Sequence, residues 1–142
     1  MIIRKAKESD INNIVSILSS NNLPSGDCQN NIKNFQVVEL EDIIIAVGCL
    51  EKYATTGFLR SIAVSSMHRG CGYGYAIFNS LMKNANQSGI SSVFLLTETA
   101  EQYFTNLGFT VVERENAPDI VKQTNQYRGL CPDSALVMCR EI

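Results

Sequence analysis

Apolar residues at Ile11, Ile14, Val15 and Leu18 fall at i, i+3, i+4 and i+7, the spacing of one helix face. Ser9 stands where an N-cap belongs, and Asn21-Asn22-Leu23-Pro24 closes the run. Ahead of this helix, Ile2-Ile3-Arg4-Lys5-Ala6 reads as a short first strand. Residues Ser25 to Asn34 are polar and fit either a short helix or a loop. The period then changes. Phe35 to Leu40 and Ile43 to Leu50 are β-rich runs joined at Glu41-Asp42, which predicts an antiparallel hairpin. A turn at Ala54-Thr55-Thr56-Gly57 leads into a further strand, Phe58 to Val64.

Ile77, Leu81 and Ala85, with Phe78 and Met82 beside them, restore the helical stripe. Asn79, Lys83, Asn84 and Gln87 form its wet side, and Gly89 its stop. Ser92 to Leu96 is a short buried strand. Thr99-x-x-Gln102 has the form of a capping box opening a short helix that Gly108 ends. Phe109 to Val112 and Ala135 to Cys139 read as the last strands, on either side of a polar stretch from Glu113 to Pro132. Antiparallel strands come first and strand–helix units follow. This order predicts a mixed α/β (α+β) sheet with helices on both faces. A doubly wound dinucleotide fold needs helices between all the early strands, and from Phe35 to Val64 they are absent.

Composition narrows the function classes. The 142 residues suit one domain, residues 1–142, and 45% apolar against 18% charged residues suits a packed core. A net charge of -2 with a pI near 5.4 gives no electrostatic pull toward nucleic acid or anionic membrane. An anionic ligand must therefore be held by a local site. Met1 to Ala6 turns polar too quickly for a secretory signal, and no apolar run approaches the ~18 residues of a membrane span. The five cysteines are odd in number and carry no C-x-x-C pair, which predicts reduced thiols in a cytoplasmic protein. His68 is the only histidine, so no catalytic metal site is expected.

The chemistry concentrates in His68-Arg69-Gly70-Cys71-Gly72-Tyr73-Gly74-Tyr75, between a strand and a helix. The first N–H groups of a helix lack intrahelical partners, and the helix dipole makes that end electropositive. Glycines let the backbone close on an anion without a Cβ in the way. Such a loop can hold a pyrophosphate with Arg69 assisting, or merely join the two elements as a turn.

Arg69-x-x-Gly72-x-Gly74, placed after Arg60-Ser61-Ile62-Ala63-Val64, resembles the R/Q-x-x-G-x-G/A signature of the GNAT N-acetyltransferase superfamily. Ala100 to Phe109 is similar to that family's A-x-x-F-Y-x-x-x-G-F segment. Leu59 to Val64, Leu95 to Ala100 and Leu130-Cys131-Pro132-x-Ser134-Ala135 further resemble an arsenic-resistance-associated subgroup. The resemblance implies a single GNAT domain with a splay between the fourth and fifth strands, and acetyl-CoA as co-substrate. It implies pantetheine on the backbone of Ile62, Ala63 and Val64, and pyrophosphate on Arg69, Gly70, Cys71, Gly72, Tyr73 and Gly74.

A carboxylate near the thioester could act as base. Glu51 at the end of the third strand is the first choice and Glu98 after the fifth the second; the alternative for both is an exposed strand-end carboxylate. The family places a tyrosine after the aromatic of the short helix, but Phe104 stands there, so Tyr103 is the candidate acid. Arg60 offers a fork for a substrate carboxylate, or else faces water, with Asp27 and Arg114 as candidates for the same pocket. The implied partner is a small-molecule amine, such as an amino acid or toxic analogue, in a monomer or homodimer. A non-catalytic acyl-CoA sensor and a thiol-based metalloid binder are the competing functions.

Overall fold

The computed structural model describes residues 1–124, 126–130 and 134–142. Seven strands form one sheet: β1 (Ile2–Lys5), β2 (Phe35–Leu40), β3 (Ile43–Tyr53), β4 (Thr56–Val64), β5 (Ser92–Thr97), β6 (Thr110–Val112) and β7 (Leu136–Glu141). Their spatial order is β1-β2-β3-β4-β5-β7-β6, and all pairs are antiparallel except β4 with β5. Among the described residues four α-helices accompany the sheet: α1 (Ile11–Ser20), α2 (Tyr73–Gln87), α3 (Glu101–Asn106) and α4 (Asp119–Lys122). Short 3-10 turns and a π-helical turn, Gln126–Leu130, fill the connections. Residues 25–34, left open by the sequence, contain a 3-10 helix at Gln29–Asn34.

The sheet is covered on both faces, as the alternation predicts. Ile14, Ile17 and Leu18 of α1 pack with Phe35, Val37, Val47, Cys49 and Ala63. On the other face Ile77, Phe78, Leu81 and Ala85 of α2 meet Val38, Ala46, Leu50, Leu59 and Leu95. A third cluster joins Phe58 and Phe94 to Val121 of α4 and Val137 of β7. The hairpin at Glu41-Asp42 is a two-residue turn with both residues at positive φ, 51° and 66°. That conformation matches the twist of the flanking strands.

Two capping expectations are corrected. Ser9 does not cap α1; it lies within the turn Glu8–Asp10, and the Asp10 carboxylate accepts from the Lys7 N–H at 2.8 Å. Arg4 donates to that same carboxylate at 2.8 and 3.1 Å, pinning the helix start to β1. Nor does Thr99 cap α3. The helix begins after Ala100, whose N–H donates to Thr97 Oγ1, while Gln102 turns to Asn106. The strand into β4 also starts earlier than the sequence indicates, at Thr56, because Ala54 at φ 56° completes the turn alone with Thr55.

One irregularity shapes the region between β4 and β5. The β3–β4 register runs Val47↔Ala63 and then Cys49↔Arg60, so Ser61 and Ile62 together oppose Gly48. This is a β-bulge, with Ser61 at φ 61°. Bulges bend a strand and add twist. The β4–β5 ladder accordingly ends at Phe58↔Phe94, and the strands part beyond it. Opposite the bulge, Gly48 lets α2 approach closely: a Cβ there would lie 2.7 Å from Leu81 Cδ1 and 3.2 Å from Ile77 Cγ1. Both neighbours are buried, so neither can yield freely. Gly48→Ala should lower unfolding stability by about 1–3 kcal/mol in urea titration, the usual effect of overpacking.

Candidate active site

The parted strands enclose a cleft of about 780 Å³. Arg60, Ser61 and Ile62 of β4 form one wall, and Leu96, Thr97 and Glu98 on and just after β5 form the other. Asn21 to Pro24, the segment that ends α1, close one side, and Phe104 and Ala135 another.

At the far end of β4 the chain passes through the turn Ser66–His68 into the glycine loop and then α2. Gly70 and Gly72 adopt φ of 78° and 86°, with open space where a Cβ would stand. Gly72 in this left-handed conformation is the N-cap, and the first helical bond runs from the Ala76 N–H to its carbonyl at 3.0 Å. Tyr73, Gly74 and Tyr75 are therefore first-turn residues whose N–H groups have no intrahelical acceptor. Arg69, three residues before the N-cap, donates to Asn21 Oδ1 at 2.8 Å.

Asn21 is a residue that sequence reasoning missed as a site residue. Its Nδ2 also donates to the Val64 carbonyl at 3.2 Å and to the Ile17 carbonyl at 2.8 Å. One side chain thus ties α1, the end of β4 and Arg69 together. The signal was present as an Asn pair at a helix end, but it read there only as a stop.

Of the strand residues singled out, Ile62 lines the cleft. Ala63 faces the α1 core and Val64 packs on the α2 side. The backbone of all three leads from the cleft to the loop. Cys71 is exposed in the loop.

Beneath the cleft lies a buried ion cluster. Arg60 Nη1 and Nη2 each donate to Asp27 at 2.6 Å, a bidentate pair. Nη1 also donates to Glu51 Oε2 at 3.2 Å, and Nε donates to Ser61 Oγ at 3.0 Å. With its amide oxygen turned toward the guanidinium, Gln126 accepts from Arg60 at 2.6–2.8 Å. Tyr53 donates to Glu51 Oε1 at 2.6 Å. The Arg60 side chain is only 3% exposed. Burial works against its charge, but the Asp27 hydrogen bond and the carboxylates around it prevail and raise its pKa. Burial, followed by the bond to Glu51, likewise pushes the Tyr53 phenol up.

Arg60 and Asp27 are therefore brought together, as partners of each other. The fork suggested for a substrate carboxylate is occupied by Asp27, and Arg60 does not face open water. Arg114 is not on the cleft wall itself; it donates at 2.7 Å to the carbonyl of Ala135, which is, and lies 4.5 Å over the Tyr127 ring. The two candidate bases separate. Glu51, 4% exposed, is buried in the cluster, whereas Glu98 is exposed at the cleft and accepts from Ser134 Oγ at 3.3 Å.

Phe104 lines the cleft, and Tyr103 sits one position away, its hydroxyl 3.9 Å from where a Gly74 Cβ would stand. Burial, and then the nearby Tyr75, hold the Tyr103 phenol above its ordinary pKa. Among the described residues no group of His, Cys, Asp and Glu could hold a metal ion. Cys28 and Cys49 are buried thiols, and burial raises the pKa of both. Cys131 and Pro132 lie outside the described residues.

The family model described as acetyltransferase (GNAT) domain matches residues 31–111, which contain β2 through α3, the start of β6 and the glycine loop. The chain belongs to the GNAT acetyltransferase family. Within that family it is 27% identical over 99 residues to the amino-acid acetyltransferase of Pasteurella multocida, covering 68% of this chain and 22% of that protein. It is 34% identical over 89 residues to the amino-acid acetyltransferase of Pseudomonas putida, covering 61% and 21%. The chain thus spans about a fifth of the length of these curated relatives.

In fold, this GNAT chain resembles N-acetylglutamate synthase from Neisseria gonorrhoeae complexed with coenzyme A and N-acetyl-glutamate. The TM-score is 0.85 at 22% identity, over 99% of this chain and 34% of that one. Rv2747 from Mycobacterium tuberculosis, in complex with CoA and NLQ, gives 0.83 at 20% identity, over 100% and 99%. No helix among the described residues is long and apolar enough to cross a membrane.

The ion cluster makes a stability prediction. Asp27→Ala would leave Arg60 buried without its bidentate partner, and breaking a buried pair costs about 3–5 kcal/mol. Denaturant unfolding should show a loss of that size, and Asp27→Glu should recover only part of it.

Proposed function

We propose that this GNAT chain transfers an acetyl group from acetyl-CoA to the amine of a small molecule. The observation that carries the reading is the continuous path from the cleft, along β4, to a glycine loop that opens a helix. The pyrophosphate is assigned to the N–H groups of Arg69 through Gly74, with the Arg69 guanidinium beside them. The pantetheine arm is assigned to the backbone of Ile62, Ala63 and Val64, where a strand that has lost its β5 ladder can pair with the arm's amides.

The acceptor amine enters from the α1 side, past Asn22 to Pro24. It gives up its proton and attacks the thioester carbonyl carbon; the C–N bond forms as the C–S bond breaks. Most of the acceleration comes from alignment, which the rigid strands supply. Glu98 is assigned as the base because it is the candidate carboxylate on the cleft wall. Glu51 serves the ion cluster instead. Tyr103, protonated at neutral pH, is assigned as donor to the departing thiolate.

The amino-acid acetyltransferases among the relatives make amino acids the first acceptors to try, and the arsenic-resistance resemblance adds toxic amino-acid analogues. A cytoplasmic protein acting as monomer or homodimer fits this reading. The competing reading, an acyl-CoA sensor without turnover, is supported by Phe104 standing on the cleft wall where the family has a tyrosine.

Acetyl-CoA should bind in calorimetry, and an amine panel should release free CoA. No binding at millimolar acetyl-CoA ends both readings, and binding without turnover supports the sensor. Arg69→Glu should weaken acetyl-CoA binding about tenfold or more by placing an anion beside the pyrophosphate. Glu98→Gln should lower kcat about a hundredfold, within the usual range for loss of a general base, with acetyl-CoA affinity unchanged. Phe104→Tyr should leave that affinity unchanged as well.

A further inference from the structure

Two asparagines end α1, and backbone geometry accounts for only the second. Asn22 is left-handed at φ 58°; its N–H donates to the Ser19 carbonyl at 3.1 Å, and the Leu23 N–H donates to the Leu18 carbonyl at 3.0 Å. This is a Schellman motif, in which asparagine can replace glycine at the left-handed position. Leu23 packs against the apolar cluster that holds Leu18, which seals the turn. The motif fixes the backbone around Asn21 and makes no use of its side chain.

Both ends of that side chain are used elsewhere. Its Nδ2 carries two N–H groups, and they meet two carbonyls. One is Ile17 at 2.8 Å, among the carbonyls that α1 leaves open at its end; the other is Val64 at 3.2 Å, the last residue of β4. With its donors spent on carbonyls, the amide turns Oδ1 to Arg69 Nη2 at 2.8 Å. Aspartate has no N–H for the carbonyls and leucine no acceptor for the guanidinium, so among side chains of this size asparagine does both. Val64 is itself part of the loop's frame: its Cγ2 lies 3.5 Å from where a Cβ on Gly74 would stand, in the first turn of α2.

Arg69 is the opposite of Arg60. The Arg60 side chain is buried, and Asp27, Glu51 and Ser61 accept from it. Arg69 is exposed, and Asn21 is its one hydrogen-bond partner among the described residues. An exposed arginine samples many rotamers, and ordering it on an anion costs affinity. A bond that holds one nitrogen and leaves the rest of the fork open removes part of that cost in advance.

We propose that Asn21 is a positioning residue for the acyl donor: anchored on Ile17 and Val64, it holds Arg69 in the arrangement that binds the pyrophosphate. The proposal rests on the acetyl-CoA reading. It adds to that reading a residue 48 positions from Arg69 that acts through Arg69 rather than on the donor.

A double-mutant cycle on acetyl-CoA affinity, measured by calorimetry on the full chain, tests it. Asn21→Ala should weaken binding about threefold to tenfold, the usual effect of ordering one such side chain beforehand. In an Arg69→Ala background the same substitution should change affinity less than about twofold, because nothing is left to position. Equal losses in the two backgrounds are what a merely structural Asn21 gives. That result, or unchanged affinity in either single variant, overturns the proposal while the acetyl-CoA reading stands. Asn21→Leu, close in size, runs the same cycle if the alanine variant does not fold. Failure of both to fold makes the residue structural and overturns the proposal as well. No binding of acetyl-CoA to the unsubstituted chain ends the reading and the proposal together.

Discussion

The architecture depends on β4 keeping β3 along its whole length while giving up β5 after three residues. A seven-stranded sheet with an unbroken ladder at this point would have no cleft. The bulge at Ser61 and Ile62 supplies the bend, and Gly48 opposite it lets α2 press against the sheet where the strand is irregular. Arg60 then turns inward, where Asp27 from the α1–β2 connection and Gln126 from the C-terminal part of the chain meet it. A buried guanidinium is tolerated only when its donors are satisfied. Its presence in β4 therefore constrains two distant segments to converge on the cleft.

The two ends of the cleft differ in how they handle charge. At the glycine loop the groups on offer are backbone N–H groups and one exposed arginine, in a chain of net charge -2. At the opposite end Arg60, the only buried cation among the described residues, is paired with the carboxylates of Asp27 and Glu51. Asn21 braces the glycine-loop end, because it bonds both Arg69 and the carbonyl of Val64.

Much of this fold was legible from spacing. The α2 stripe of Ile77, Leu81 and Ala85 is buried as its period requires, and the Glu41-Asp42 hairpin and the strand at Phe35 to Leu40 fall where alternation placed them. These are local patterns, and local patterns suffice when one face of an element must be buried. The misses were local rules overruled by neighbours. Ser9 and Thr99 had the composition of caps, but Asp10 with Arg4 and Thr97 with Ala100 took over the work at those helix starts.

What the sequence determined by itself was the order of elements, the two covered faces and the glycine loop at a helix start, because each follows from periodicity or from glycines at fixed offsets before a helix. What only the tertiary structure decided was the partner of every charge. Arg60 and Glu51 read as a substrate fork and a base because a sequence shows neither who faces them nor whether water does. Asp27 lies 33 positions from Arg60, yet its carboxylate bonds both Arg60 Nη atoms at 2.6 Å. A salt bridge between segments so far apart has no periodic signature, since it depends on how the sheet brings β4 to the loop after α1.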